Sequence, residues 1–170
     1  MHSIIPAPSA SMDRAAEVLA KFPTHIPGHR DGWLLLSRDG RPIVVWDLAV
    51  KIAADTPEQA AKRLELALTL ASAGFAVTLP GNAYMVFFAE PPSDRAKPRY
   101  VIAEDDTELA SIFGGGFNVI DTWTRACSSS HSTRAEAIER CDEVTREQDL
   151  ADASARATGR IEPPTPTSNR

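Results

Sequence analysis

Met12, Ala15, Ala16, Val18, Leu19 and Phe22 recur every three or four positions, the spacing that gathers apolar side chains on one side of a helix. Pro23 ends that run, because proline lacks the N–H that a continuing helix needs. Two strand-like stretches follow, Gly32 to Ser37 and Ile43 to Trp46, around Arg38-Asp39-Gly40-Arg41. An Asp-Gly pair accepts the positive φ angles of a tight hairpin turn, so the pattern predicts a β-hairpin.

Thr56-Pro57-Glu58-Gln59 combines an N-cap hydroxyl, a proline at the first helical position and a glutamine placed for a capping box. Gly74 stands where a left-handed stop belongs, so a helix is predicted over 57–73. Further strands are predicted at Phe75 to Leu79, Ala83 to Ala89 and Arg99 to Ala103, with a polar loop from Pro91 to Pro98. A short helix from Asp106 to Phe113 would stop at Gly114-Gly115-Gly116, and Phe117 to Thr124 reads as another strand. Residues 125–132 form its hairpin partner or a loop. Thr133-Arg134-Ala135-Glu136 is a second capping box. It opens a helix with Ile138, Cys141 and Val144 on one face, whose apolar stripe thins past Arg146.

Trp33 to Ala73 and Phe117 to Arg146 both read as strand, turn or loop, a second strand or further loop, and a Thr-capped helix, an echo of pattern without repeated sequence. The elements alternate too irregularly for a doubly wound parallel sheet. The expected fold class is α+β, a single domain over residues 11–150 with a mostly antiparallel sheet of about five or six strands and three or four helices. Residues 1–10 and 151–170 read as a flexible N-terminal tail and as a helix end running into a disordered tail. Gly159 to Arg170 offers Ile161 as its one large apolar side chain, too little to offset the entropy of ordering.

Composition narrows the function classes. At 43% hydrophobic and 24% charged residues, the chain has the make-up of an ordinary globular protein. No apolar run reaches the roughly 18 residues of a membrane helix, and the first residues lack a secretory pattern. Cys127 and Cys141 are too few for a disulfide scaffold, which points to a reduced, cytoplasmic setting. The net charge of −5 is uneven: residues 1–100 carry 11 basic and 10 acidic side chains, residues 101–170 carry 7 and 13. With no basic run to release counterions from phosphate, nucleic acid is disfavoured as a partner.

The mechanism-bearing motifs of phosphate loops, dinucleotide folds, zinc proteases and serine hydrolases are missing, which weighs against an enzyme. Glu104, Asp105, Asp106 and Glu108 are the densest carboxylate group, with Glu90 and Asp121 close by if their strands pair. Converging carboxylates could hold Mg²⁺ for a metal-dependent hydrolase or nuclease. Acids before a helix also serve simply as caps for its free N–H groups. Gly114 to Gly116 could offer N–H groups to a phosphate, but no lysine follows, and a helix stop accounts for it. Cys127, His131 and Cys141 supply three ligands of a zinc set without a common zinc spacing, and Cys141 belongs to an apolar helix face. Cys127 beside His131 is the local pair that a thiol nucleophile would require. His25 and His29 flank Pro27-Gly28, a loop rather than a helix.

The helix from Pro57 is the most informative segment. Ala60, Leu64, Ala67, Leu68 and Ala71 form one broad apolar stripe, while Leu66 and Leu70 lie more than a quarter turn away on a face shared with Arg63. Either two layers of the fold cover this helix, or Leu66, Leu70 and Arg63 are exposed and form an interface. The expected function is a non-enzymatic binding or adaptor domain acting through protein–protein contacts, with a protein partner or with itself as a homodimer. No cofactor and no membrane are expected. The alternative is the metal-dependent hydrolase or nuclease built on the 104–108 cluster.

Overall fold

The computed structural model describes residues 9–50, 56–80, 84–93, 95, 97–104 and 116–159. Helix α1 (Ser9–Leu19) leads into strands β1 (Gly32–Arg38) and β2 (Arg41–Asp47), then helix α2 (Pro57–Ser72). Strands β3 (Ala76–Thr78), β4 (Met85–Ala89), β5 (Tyr100–Glu104), β6 (Phe117–Asp121) and β7 (Ala126–His131) follow, and helix α3 (Arg134–Ala157) closes the described chain.

The local signals act as their chemistry dictates. Asp39 and Gly40 take φ angles of 53° and 71°, and Arg38 pairs with Arg41 across the two-residue turn. Both helices that open on threonine have complete capping boxes, Thr56 with Gln59 and Thr133 with Glu136. The Glu136 carboxyl is held below its ordinary value, first by the Ser132 hydroxyl and then by the Thr133 backbone N–H. Gly74, at φ 92°, turns the chain out of α2. Gly32 meets a different demand: a Cβ there would lie 2.4 Å from the Pro23 carbonyl oxygen. Its bare backbone lets the segment after α1 lie against β1, where Trp33 N donates to Pro23 O and His25 N to Trp33 O.

The strands form two antiparallel sheets rather than the single sheet expected, one of order β1-β2-β4-β3 and one of order β5-β6-β7. Side chains interrupt the ladder between them. Arg99 Nη2 donates to the Val77 carbonyl at 2.9 Å, so a guanidinium occupies a β3 acceptor that another strand would otherwise use. Pro91, Pro92 and Pro98 also remove donors along the connection from β4 to β5.

Each hairpin-and-helix unit covers one face of its own sheet. Val44, Trp46, Val86 and Phe88 of the four-stranded sheet pack with Ala15 and Leu19 of α1 and with Leu66, Ala67 and Leu70 of α2. Phe75 meets Phe88 edge-on at 5.6 Å. On the reverse face Ile43 and Phe87 pack with Ala126 of β7, which joins the two sheets. Val119, Tyr100 and Phe117 of the second sheet pack beneath Ala137 and Val144 of α3.

One expectation about α3 is corrected. Ile138 is 45% exposed and Ala137 takes the inward position, because Ala137 and Val144 are two turns apart and aim at Val119. The helix runs to Ala157, held by polar contacts where the apolar stripe ends. Arg99 donates to Gln148, Arg95 pairs with Asp152 at 3.3 Å, and Gln148 Nε2 donates to Asp152 Oδ1 at 2.7 Å. The predicted helix at Asp106 to Phe113, Gly114-Gly115, and the tails at 1–8 and 160–170 lie outside the described residues. No helix among the described residues is long and apolar enough to cross a membrane.

Candidate functional site

Successive α-helical residues are turned by about 100°, so α2 carries two apolar faces. Leu66 and Leu70 are fully buried, Ala67 and Arg63 almost so, and this face looks onto α1 and the sheet. The neighbouring face holds Ala60, Leu64, Leu68 and Ala71, all exposed, with Leu64 at 49% and Leu68 at 59%. The expectation that this second stripe forms the core is therefore corrected, as is the expectation that Leu66, Leu70 and Arg63 form an interface. Leu66 and Leu70 contact the clustered rings and aliphatics beneath them and leave no surface for a partner. Arg63 marks the inner face because a long aliphatic stem can be buried while its head finds polar company.

No charged residue lies in the exposed arc of Ala60, Ala61, Leu64, Leu68 and Ala71. The charges stand to one side. Lys62 Nζ bonds Glu65 Oε2 at 3.1 Å and lies 5.7 Å from the centre of the Trp46 ring, which fixes Lys62 away from the leucines.

A buried polar junction holds the two sheets and α3 together. Arg99 and Asp121 form an ion pair at 2.8 Å with side chains 9% and 0% exposed. Asp121 Oδ2 also accepts from Arg99 Nε at 3.0 Å and from the Thr78 hydroxyl at 2.5 Å, and its Oδ1 accepts from Trp123 N at 3.0 Å. Thr124 shares a hydrogen bond of 2.6 Å with Thr78. Arg99 lies 5.1 Å from the Tyr100 ring centre and 5.0 Å from that of Trp123. With both Asp121 oxygens engaged by protein donors and the residue fully buried, this cluster fastens strands.

The Tyr100 phenol beside it is pushed up to about 12, mainly by burial, with the Arg99 guanidinium opposing and the Asp121 carboxylate reinforcing the shift. An unfolded tyrosine ionises near pH 10, so between about pH 10 and 12 the folded chain retains a proton that the unfolded chain gives up. This contribution to stability is complete below about pH 10 and is lost as pH rises toward 12. Urea unfolding at about pH 9 and pH 11 should show that decline, and Tyr100→Phe should flatten it. An unchanged decline in the phenylalanine variant would assign it to other groups.

Among the described residues the remaining sequence candidates do not converge. Glu104 is exposed and 4.0 Å from Arg134 Nε, while Asp105, Asp106 and Glu108 lie outside the described residues. Glu90 pairs with Arg14 at 2.7 Å. Asp121 lies at the end of β6 that pairs with Tyr100, whereas Glu104 pairs with Phe117 at the other end. Four residues of strand, about 13 Å, therefore separate the two carboxylates. Cys127 Sγ contacts the Ser129 carbonyl at 3.3 Å and Asn118 Oδ1 at 3.8 Å, and His131 Nε2 bonds the Ser129 hydroxyl at 2.8 Å. Cys141, on α3, packs against the cluster of Val119, Ala137 and Val144 and burial pushes its thiol up, with Asp142 adding to the shift, the reverse of an activated nucleophile. His25 faces Asp47 at 3.8 Å, and His29 is exposed on the turn. Among the described residues no three His, Cys, Asp or Glu side chains come close enough to hold a metal ion.

No family model matches the chain, and no curated protein or solved structure matches it.

Proposed function

We propose that this chain is a non-enzymatic binding domain that acts through protein–protein contacts made by the outward face of α2. The observation that carries the reading is the uncharged arc Ala60-Ala61-Leu64-Leu68-Ala71 on a rigid, doubly capped helix. Leu64 and Leu68 remain about half exposed, while Leu66 and Leu70 on the same helix already complete the core. Single exposed leucines are ordinary on a protein surface. A contiguous uncharged patch on one helix is the form that a helix or groove of a partner recognises. The rest of the fold supplies the support, since α2 is anchored on α1 and the sheet, and the Arg99–Asp121 junction ties that sheet to the second one.

A photoreactive amino acid in place of Leu64 tests this in extract of the expressing cells. A discrete adduct with one polypeptide, this chain or another, should form and should vanish when Leu68→Glu is added. The same probe in place of Glu139, on the exposed side of α3, should give no such adduct. Diffuse labelling that ignores Leu68→Glu would overturn the reading.

A further inference from the structure

We infer that the partner of this face is a second copy of the chain, docked with the two α2 helices antiparallel about a two-fold axis passing level with residue 66. This inference rests on the reading of the α2 face as protein-binding. A two-fold contact uses one patch twice, so the patch must complement itself when the helix direction is reversed. The arc does so. Counted from position 66, Leu64 and Leu68 stand two residues to either side, Ala61 and Ala71 five, and Ala60 and Ser72 six. Reversal places Leu64 against the partner copy's Leu68, and small side chains against small ones at both ends.

The size pattern suits helix packing. The leucines form one i, i+4 ridge at the centre, where crossed helices make their closest approach at about 8–10 Å. Beyond them Ala60, Ala61, Ala71 and Ser72 have no side chain long enough to hold the backbones apart. Lys62 stands off the arc and bonds Glu65, so the Glu65 carboxylates that flank the two-fold axis, one from each copy, each meet it with a lysine as counter-charge. Antiparallel alignment also sets the positive end of each helix beside the negative end of its mate. A partner with an unrelated surface has no need for this reversal symmetry, whereas a second copy does. The contact is one helix face wide, below the roughly 1,200 Å² of standard stable interfaces, so association belongs to high protein concentration.

Sedimentation equilibrium on the full chain up to about 1 mM should show the mass rising from 18.4 kDa toward twice that value. Leu64→Glu with Leu68→Glu should hold the mass at the monomer with an unchanged melting temperature. Geometry is tested in a Cys127→Ser, Cys141→Ser background. Leu64→Cys mixed with Leu68→Cys should form a disulfide under mild oxidation, and each variant alone should not, because residues 64 of the two copies are offset by about 6 Å along the axis. A parallel pair would link each variant to itself and would overturn the inference. A monomer throughout the concentration series would overturn it too. In that case an adduct between the photoreactive probe at position 64 and a different polypeptide leaves the protein-binding reading standing, and loss of both results removes both. Should the glutamates unfold the chain, the cysteine pairing, which introduces no charge, decides alone.

Discussion

Asp121→Ala is expected to lower the unfolding free energy by about 3–5 kcal/mol, seen as a fall in the urea midpoint without a change in slope. The carboxylate is fully buried and accepts from Arg99, Thr78 and Trp123. Truncating it leaves a guanidinium with a 9% exposed side chain facing a cavity without its counter-charge, strands the Trp123 backbone N–H, and leaves the Thr78 hydroxyl with Thr124 alone. Removing one member of a buried pair costs more than the pair contributes, because the survivor has lost water and gained nothing in return. Arg99→Leu combined with Asp121→Leu should therefore be milder than Asp121→Ala, as both charges leave together. The double-mutant comparison also tests the join between the sheets, since Arg99 alone reaches β3, β6 and α3 through Val77, Asp121 and Gln148. A loss under about 1 kcal/mol for Asp121→Ala would mean that water replaces these bonds and that the junction is open.

What the sequence made legible follows the range of the forces involved. Turn and cap chemistry acts within four residues, and Asp39-Gly40, Thr56-Gln59, Gly74 and Thr133-Glu136 all behave as their residue types require. The first hairpin and both Thr-capped helices can be read from those signals, whereas residues 125–132, which pair with β6 as β7, stayed open between strand and loop. The division into two sheets cannot. It depends on Arg99 crossing to the Val77 carbonyl, 22 residues away in sequence, and no local pattern distinguishes an arginine that blocks a ladder from one in solvent. Asp121 was visible as a metal candidate but not as the counter-charge of Arg99, because strand register decides which end of β5 it faces. The polar contacts along the end of α3 were out of reach for a similar reason: Arg95, Arg99, Gln148 and Asp152 do the holding that an apolar stripe would announce.

The orientation of α2 shows where periodicity stops. The expected stripe of Leu64, Ala67, Leu68 and Ala71 is the buried set Arg63, Leu66, Ala67 and Leu70 displaced by one residue, a turn of about 100°. Each face offers two leucines, so apolar area alone is balanced, and an arginine on one of them tips a sequence reading toward the wrong side. The fold resolves the tie through its neighbours. Phe75, released from the helix by Gly74, donates its N–H back to the Leu70 carbonyl at 3.1 Å, and with Phe88, Leu19 and Trp46 it forms the surface that Leu66 and Leu70 fill. The same tie leaves a spare apolar face outside, on which the proposed self-association depends.

Single alanine substitutions along α2 convert that orientation into numbers. Leu66→Ala and Leu70→Ala each remove a side chain with no solvent exposure from among packed rings, and each is expected to cost about 2–5 kcal/mol, the transfer term plus the cavity left behind. Leu64→Ala and Leu68→Ala remove side chains that already face water, and should stay within about 0.5 kcal/mol in dilute solution, where the chain is monomeric. Alanine is the better helix former at such sites, so a slight gain is within that range. Chemical denaturation of the four variants measures both pairs under one condition. Equal losses in the two pairs would bury both faces and leave no surface for a partner. A reversal, with Leu64 and Leu68 the costly pair, would turn α2 by one residue and return Leu66 and Leu70 to the surface.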